Sequence, residues 1–471
     1  MTDPERDAHD YDLIVIGAGA VGENVADYAT RRGARVALVE AELVGGECSY
    51  WACMPSKALL RSGHALRAAG RVAGAREAIT GAIDARAVLA RRTSFTSDWD
   101  DAGQAEWVAS AGIDLIRGHA RLVGRGLVQL GDRTVSARAV ALATGSHPVL
   151  PDIPGLADAA PWSTREATSA DHVPGRLAVI GGGVSGVELA LAFSSLGSTV
   201  TLLARGGLLS REEPFVGELV TAAMVAEGVD VREGAAPTRV DRAPDGVVTI
   251  ELDDGSRLEA DELLVATGRR PALDDLGLDA VGLDAELAVD DTMLVAGTDW
   301  LYAVGDVNGR ALLTHQGKYQ ARAAGEAIAA RLKGSRVDDA PWGQHVATAD
   351  HGAVPRVVFS DPEVAAVGLT EAQAREAGME VRAVEHDLGQ IAGASLQADG
   401  YTGRAKLVVD ERRRVVVGAT FVGQDVAELV HAATIAVVGE VTIDRLWHAV
   451  PPYPTISEIW LRLLDAHGRP A

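Results

Sequence analysis

Two stretches of the chain repeat one pattern of apolar and glycine positions. DLIVIGAGAVGENVA (residues 12–26) and RLAVIGGGVSGVELA (176–190) each begin with a short apolar run, continue through three glycines and end in a helical pattern. A second apolar run follows each stretch, at 34–40 and 198–204. The glycines are Gly17, Gly19 and Gly22 in the first stretch, and Gly181, Gly183 and Gly186 in the second. The repetition predicts two strand–turn–helix–strand units with parallel strands.

The remaining apolar runs complete the outline of an α/β chain. Runs at 139–146 and 261–271 end in the matching turns ATGS and ATGRRP, and an Ala/Arg-rich helical pattern lies between about 60 and 115. After residue 345, the strand-like runs RVVFS and RAKLVVD alternate with helical patterns such as 426–438, and no third glycine pattern occurs. We therefore predict a separate α+β domain at the C-terminus.

The charge balance narrows the choice of partners. The formal net charge is −22, so no basic field is available to gather nucleic-acid phosphates or an acidic membrane surface. No stretch has the pattern of a membrane span, and the polar, acidic start MTDPERDAHDYD lacks that of a signal peptide. We expect a cytoplasmic protein that binds neither nucleic acid nor membrane.

The chain has two cysteines, Cys48 and Cys53, within the string GGECSYWACMPSK. A disulfide between them would close a very small loop, which makes it a poor structural staple. The pair could be two small apolar side chains in a turn, but a chain with no other thiol favours redox chemistry.

The two glycine patterns differ where nucleotide specificity is decided. In the first, Glu40 ends the second apolar run, where an acid can bind a ribose hydroxyl of a dinucleotide. In the second, Ala204 and Arg205 stand there instead, and Arg211 follows. Arginines at this place favour the 2′-phosphate of NADPH over NADH, unless both are simply solvated surface residues.

A third motif, TDWLYAVGDV (298–307), ends a predicted strand at Asp306, before a helix that begins near 312–318. An acid there can accept hydrogen bonds from ribityl hydroxyls, and the first amides of the helix can face a reduced flavin. Taken alone, such an Asp is often only a helix cap.

Together these motifs resemble the pyridine nucleotide–disulfide oxidoreductases, the family of dihydrolipoamide dehydrogenase, glutathione reductase and mercuric reductase. The resemblance covers nearly the whole chain and includes VVFSDPEVAAVGLTE (357–371). It implies a homodimer with an α/β fold of two Rossmann-like domains and an α+β dimerisation domain. The implied boundaries are 1–150 with 272–345 for FAD, 151–271 for NAD(P)H and 346–471 for dimerisation.

The resemblance also assigns roles to individual residues. Cys53 is expected to form the charge-transfer thiolate and Cys48 to attack the substrate. Lys57 is expected beside the flavin, paired with Glu188, although Glu188 alone could be a solvated helical acid. The expected FAD-binding residues are Gly17, Gly19, Gly22, Glu40, Gly46, Lys57, Ala120, Thr144, Gly145, Asp306, Leu313 and Thr314. For NADPH they are Gly181, Gly183, Gly186, Arg205, Arg211 and Gly268, and no metal site is predicted.

One catalytic position departs from the family pattern. The family's disulfide reductases have a His–Pro pair followed by Glu near the C-terminus, and here the aligned residues are Tyr453, Pro454 and Glu458. A phenol titrates about 3.5 pH units above imidazole, so its basic form costs roughly 5 kcal/mol more. His448 lies five residues too early to replace it. By resemblance, Tyr453 and Glu458 would come from the partner subunit.

Two further differences concern the acceptor. LLARGGLLSREEP (202–214) is similar to a segment of mercuric reductase, but the ending HGRPA has no metal-delivering cysteine pair and the chain lacks a metal-capturing N-terminal domain, so mercury is not the expected substrate. Between the cysteines, Ser49, Tyr50, Trp51 and Ala52 replace the usual family residues. The two aromatics either pack under the flavin, which we favour, or form a stacking wall for a flat substrate.

Three functions fit the sequence. The first is reduction of a disulfide or thiol-bound metal ion through the Cys48–Cys53 pair. The second is direct transfer from flavin to a quinone or dye, with auxiliary cysteines. The third is an FAD-bound sensor or scaffold without a true acceptor.

Overall fold

The computed structural model describes residues 9–468, which form two compact units. The first unit comprises the chain up to residue 55 with 93–149 and 269–350, and the second comprises 56–92, 150–268 and the chain from 351 onward. The first eight and last three residues lie outside the described part. The expectations drawn from the acidic start and from the HGRPA ending rest partly on them.

The helices and strands follow in chain order. The helices are α1 (Gly22–Arg31), α2 (Gly46–Tyr50), α3 (Cys53–Gly70), α4 (Ala85–Phe95), α5 (Ala102–Ser110), α6 (Thr164–Ser169), α7 (Val184–Ser195), α8 (Pro214–Ala226), α9 (Thr314–Leu332), α10 (Glu371–Glu376), α11 (Ala392–Gln397), α12 (Leu429–Val438), α13 (Ile443–Leu446) and α14 (Ile459–His467). The strands are β1 (Tyr11–Ile16), β2 (Val36–Glu40), β3 (Asp114–Arg117), β4 (Ala120–Gly124), β5 (Leu127–Leu130), β6 (Arg133–Leu142), β7 (Ser146–Pro148), β8 (Arg176–Ile180), β9 (Thr199–Ala204), β10 (Asp230–Glu233), β11 (Pro237–Arg242), β12 (Val248–Leu252), β13 (Arg257–Ala260), β14 (Glu262–Val265), β15 (Arg269–Pro271), β16 (Leu301–Ala303), β17 (Pro355–Val358), β18 (Glu363–Gly368), β19 (Val381–Asp387), β20 (Arg404–Asp410) and β21 (Val415–Gly423).

The first unit is built on a seven-stranded sheet in the order β3-β2-β1-β6-β5-β4, with β16 also paired to β6. Strands β3, β2, β1, β6 and β16 run parallel, whereas β4 and β5 join β6 in an antiparallel meander. Residues 12–16 of β1 are all buried, as expected for a central parallel strand covered on both faces. The sheet therefore gathers the ends of β1, β2, β6 and β16 at one edge.

Helices α1 and α9 pack unusually close together in this unit. A Cβ placed on Gly317 would lie 2.5 Å from Cγ2 of Val21, and one on Gly325 would lie 2.7 Å from Cβ of Tyr28. Because side chains have no room there, the glycines let the two helices approach. This contact fixes the start of α9 against the first glycine turn.

The second unit contains the repeated arrangement. A four-stranded parallel sheet has the order β10-β9-β8-β14, accompanied by a three-stranded antiparallel sheet, β11-β12-β13. Helix α7 follows β8 through the second glycine turn, and residues 186–193 of this helix are buried. The unit also holds the five-stranded antiparallel sheet β17-β18-β21-β20-β19, covered by α12 and α14.

The fold confirms the predicted class. The two parallel sheets with glycine turns and the antiparallel C-terminal sheet agree with an α/β chain that has an α+β end. The run 261–271 forms β14 and then the expected turn at 266–268, and its last residues add the short strand β15. Helix α3 begins at Cys53 itself, so Pro55 lies within its first turn, where a missing amide proton costs little. Among the described residues, every helix is too short or too polar to cross a bilayer.

Candidate functional site

Both cysteines lie in the first unit, at the meeting point of two helices. Cys48 lies within α2, and Cys53 is the first residue of α3. Both side chains are thiols in the structure, and they are hydrogen-bonded to each other. Sγ of Cys53 lies 3.2 Å from Oγ1 of Thr314, the first residue of α9. The two thiols thus contact each other, and both lie near the Thr314 hydroxyl.

The two thiols have different electrostatic surroundings. A hydrogen bond with Cys53, together with burial, raises the pKa of the Cys48 thiol far above its ordinary value. Cys53, by contrast, stands at a helix N-terminus, where the macrodipole favours an anion. If one proton leaves the dithiol, this arrangement favours a thiolate on Cys53.

The loop between the cysteines is anchored by an aromatic side chain. Tyr50 is 1% exposed, and its hydroxyl donates to Oε1 of Gln104 at 2.7 Å. Nε1–H of Trp99 donates to the Tyr50 carbonyl at 3.2 Å, from a turn whose residues 97–99 have φ between 50° and 58°. Non-glycine residues rarely adopt that conformation, so packing must hold the turn. Tyr50 therefore packs inside the protein and cannot be part of a stacking wall, whereas Trp51 is half-buried.

The first glycine turn fits a dinucleotide. Gly17 has φ 98°, and a Cβ there would lie 2.5 Å from the Ala143 carbonyl oxygen. Helix α1 begins without a side-chain cap, which leaves its first amides for an anionic ligand. Oε2 of Glu40 accepts a hydrogen bond from the Ala18 amide at 2.7 Å, so this acid lies against the turn. Gly46 adjoins the turn as well, since its Cβ would lie 2.8 Å from Cα of Gly19.

The predicted ribityl carboxylate is part of a polar chain. Oγ–H of Ser146 donates to Oδ2 of Asp306 at 2.5 Å, and Arg269 donates to the same Ser146 hydroxyl at 2.7 Å. Burial raises the pKa of Asp306 above its ordinary value. Arg269 also lies 3.8 Å from Glu47, the neighbour of Cys48. Sequence reasoning missed the roles of Ser146, Arg269 and Glu47, because no local pattern links residues so far apart.

The other expected FAD residues surround this edge of the first unit. Oγ1–H of Thr144 donates to the Ala272 carbonyl at 2.7 Å, and Gly145 has φ 77°. Leu313 precedes α9, which has no side-chain cap, and Ala120 begins β4. Glycine turn, buried acid and uncapped helices are the donor and acceptor set that FAD requires, so the residues present fit this cofactor.

The second unit repeats the glycine turn. Gly181 has φ 128°, and its Cβ would lie 2.2 Å from the Ala266 carbonyl oxygen, as for Gly17 and Ala143 in the first unit. Gly183 precedes the uncapped helix α7, Gly186 lies in its first turn, and Gly268 ends the strand–turn 262–268. Arg205 and Arg211 are exposed beyond the end of β9.

Lys57 and Glu188 form an ion pair in the second unit. Nζ of Lys57 lies 2.6 Å from Oε2 of Glu188, whose side chain is 3% exposed. The Phe359 amide donates to the other oxygen, Oε1, at 2.9 Å, and the Phe359 ring centroid lies 5.0 Å from Nζ of Lys57. Glu188 is thus a buried, fully bonded carboxylate rather than a solvated helical acid. Phe359 was not predicted from the sequence.

Tyr453 and Glu458, the two expected catalytic residues near the C-terminus, lie in different environments in the second unit. Tyr453 is 76% exposed, whereas Glu458 is 7% exposed and accepts a hydrogen bond from Arg462 at 2.5 Å. The other oxygen of Glu458, Oε2, is buried without a partner within residues 9–468. In the same residues, no group of three or more His, Cys, Asp or Glu side chains is arranged to hold a metal ion.

Comparison with protein families gives two matches along the chain. Residues 11–327 match the pyridine nucleotide-disulphide oxidoreductase family, and residues 354–463 match the dimerisation domain of the same family. Together the matches cover both glycine turns, the cysteine pair and the C-terminal sheet.

Individual proteins agree with that result. Mercuric reductase of Shigella flexneri is 35% identical, over 95% of this chain and 79% of its own length. Dihydrolipoyl dehydrogenase of Haloferax volcanii is 32% identical, over 95% of this chain and 94% of its own length. The solved structure of the HOCl-induced flavoprotein disulfide reductase RclA from Escherichia coli has a TM-score of 0.82 at 25% identity, covering 97% of this chain and 99% of that one.

Proposed function

The chain belongs to the pyridine nucleotide-disulphide oxidoreductase family, and from that premise we propose that it is an NADPH-dependent reductase of a disulfide or a thiol-bound metal ion. As a family member it is an oxidoreductase that uses FAD and a pyridine nucleotide. In the proposed reaction, electrons pass from NADPH to the Cys48–Cys53 pair and from there to the acceptor.

The chemistry of the pair follows from its surroundings. Bound FAD would supply the two-electron step between nicotinamide and sulfur. Reduction breaks the Cys48–Cys53 bond, and contact with Cys53 together with burial raises the pKa of the resulting Cys48 thiol. The N-terminus of α3 and the Thr314 hydroxyl favour negative charge on Cys53. Cys48 must lose its proton before it attacks an acceptor, and Tyr453 is a weak base for that step.

The observation that carries this proposal is the thiol pair itself. Two thiols that contact each other, with one of them beside Thr314 at the start of α9, support a role in reversible disulfide exchange. A pair that only filled space would need neither the polar neighbour nor the helix N-terminus.

An anaerobic titration with NADPH tests the proposal. The wild type should develop a long-wavelength thiolate–flavin absorption band after about two electrons, and Cys53→Ala should not. Cys48→Ala should keep a Cys53 thiolate and its band, yet lose turnover with disulfides. A wild type that only bleaches its flavin, without the band, contradicts the proposal.

The exposed Tyr453 favours a second candidate, direct transfer from flavin to a quinone or dye. A phenol in place of imidazole handicaps dithiol exchange but not a transfer that bypasses sulfur. Assaying Cys48→Ala against disulfides, quinones and metal ions separates the two functions. The second function is supported if Cys48→Ala retains quinone turnover and the wild type shows no disulfide turnover.

The two exposed arginines support NADPH as the donor. Arg205 and Arg211 follow β9, which carries no acid at its end, so a 2′-phosphate meets positive charge there. Arg205→Ala should raise the KM for NADPH about tenfold or more while leaving the KM for NADH nearly unchanged. Arg232→Ala, on β10 and paired with Asp230, is the control. A wild-type preference for NADH contradicts this part of the proposal.

A further inference from the structure

Phe359 contacts both members of the Lys57–Glu188 pair. Its amide donates to Oε1 of Glu188 at 2.9 Å, and its ring lies under the Lys57 ammonium, with 5.0 Å from Nζ to the centroid. Lys57 therefore has a carboxylate oxygen 2.6 Å away and an aromatic face beside it. Both supports come from one residue at the end of β17.

The segment that carries Phe359 is itself fixed to α3. Asp361 accepts hydrogen bonds from Nε of Arg67 at 2.5 Å and from Nη1 of Arg71 at 2.8 Å. Arg67 lies about three helical turns beyond Lys57 on α3, and Arg71 directly follows the last residue of this helix. Because paired arginines on a buried carboxylate hold a planar geometry, the position of the Phe359 ring relative to α3 is well defined.

An acidic cavity next to Lys57 offers its ammonium group other carboxyl partners. This cavity, of about 290 Å³, adjoins the Lys57 side chain and contains three carboxyl groups, those of Glu363, Asp425 and Glu428. Burial raises the pKa of Glu363 above its ordinary value, which weakens it as a competitor. Arg61 and His64 also line this cavity. Without a support on the near side, a flexible lysine can turn towards these acids.

We propose that Phe359 is a positioning residue, whose ring and amide hold Lys57 against Glu188 and away from the acidic cavity. This inference rests on the proposed function, because the pair affects electron entry only if Lys57 acts on a bound flavin, as the family resemblance implies. The expected size follows from the cation–π contact. An interaction of about 1 kcal/mol at a partly exposed ammonium corresponds to roughly fivefold in rate.

Stopped-flow reduction of the FAD-loaded protein by NADPH is the main test. Phe359→Leu, which keeps the amide and most of the volume but removes the π face, should slow flavin reduction about fivefold and shift the flavin absorption maximum. Phe359→Tyr should stay within about twofold of the wild type. In a Lys57→Met background, Phe359→Leu should change the rate by less than about twofold, because its partner is already gone.

Phe193→Leu is the matched control. Phe193 belongs to the buried apolar cluster against which Phe359 packs, and it contacts Trp162 rather than Lys57. Phe193→Leu should therefore lower the melting temperature without slowing flavin reduction. Equal slowing by Phe359→Leu in the wild-type and Lys57→Met backgrounds, or no slowing in either, overturns the proposal.

Thermal unfolding provides a test that does not depend on electron transfer. It compares the wild type, Phe359→Leu, Lys57→Met and the double variant. Phe359→Leu should lower the melting temperature less in the Lys57→Met background than in the wild type, because the shared contact is lost only once. If the proposed function fails, NADPH does not reduce the wild-type flavin, but this coupling remains. The melting temperatures could show the coupling while Phe359→Leu leaves the rate of flavin reduction unchanged. In that case the positioning role is wrong and the proposed function stands.

Discussion

At the scale of single residues, burial makes some carboxyl groups of the protein harder to ionise. Glu23, in the first turn of α1, is the clearest case outside the predicted set. Burial raises its pKa to about 7, and its Oε1 atom is without a hydrogen-bond partner among residues 9–468. Its surroundings include Lys318 on α9, which lowers the pKa, and Glu40, which raises it. Such a group makes stability depend on pH near neutrality.

Glu23→Gln should stabilise the protein increasingly as the pH rises above about 4.5. The folded pKa lies above the ordinary 4.5, so the folded state holds the proton more tightly, and stability is lost as the pH rises from about 4.5 through about 7. Because glutamine cannot ionise, the substitution removes this loss of stability. We expect a gain of about 1–2 kcal/mol at pH 8, allowing for partial exposure, and almost none at pH 4.5.

Melting curves of the FAD-loaded protein at the two pH values provide the measurement. Asp27→Asn, on the same helix but paired with Arg31 at 2.6 Å, is the control and should not gain stability at pH 8. An equal gain for Glu23→Gln at both pH values would show that charge burial is not the cause.

At the scale of elements, close helix packing positions the site, and sequence alone did not reveal it. The glycine turns, the Cys48–Cys53 string and the α+β ending were predictable, because turn chemistry and periodicity are local. The left-handed turn at Ser97–Trp99 was not predictable, nor was the contact of Phe359 with Lys57. These features depend on residues tens to hundreds of positions apart, which one sequence does not relate.

Gly317→Ala tests the contact between α1 and α9. The added Cβ would lie 2.5 Å from Val21, so the helices must separate, and we expect a loss of about 1–3 kcal/mol. Because α9 carries Thr314, the thiolate–flavin band should also weaken. Gly103→Ala, in α5 with no heavy atom within 4 Å, is the matched control and should be neutral or stabilising by up to about 1 kcal/mol. Similar unfolding midpoints for the two variants would contradict close packing.

At the scale of the whole molecule, residues 354–463 match a dimerisation domain, and the family resemblance assigns Tyr453 and Glu458 to the partner's site. Tyr453 is 76% exposed in one protomer, which agrees with a side chain that completes its contacts elsewhere. In a C2 dimer, each site would then combine Cys48 of one protomer with Tyr453 of the other.

Mixing two inactive variants tests this shared site. Co-expressed Cys48→Ala and Tyr453→Ala should regain up to about one quarter of wild-type activity, since half of the dimers are mixed and each mixed dimer has one intact site. Each variant alone should remain inactive at any concentration. Mixed dimers, isolated by two affinity tags, that show no activity would place Tyr453 in the site of its own protomer.

The anchoring of Tyr50 by Gln104 and Trp99 has a practical consequence. These hydrogen bonds hold the segment between Cys48 and Cys53 independently of the disulfide bond. Breaking the disulfide should therefore leave both cysteine backbones in place. Oxidised and reduced crystals should therefore be isomorphous, with differences confined to the sulfur atoms. Repeated cycling should also leave no cumulative damage to the surrounding chain.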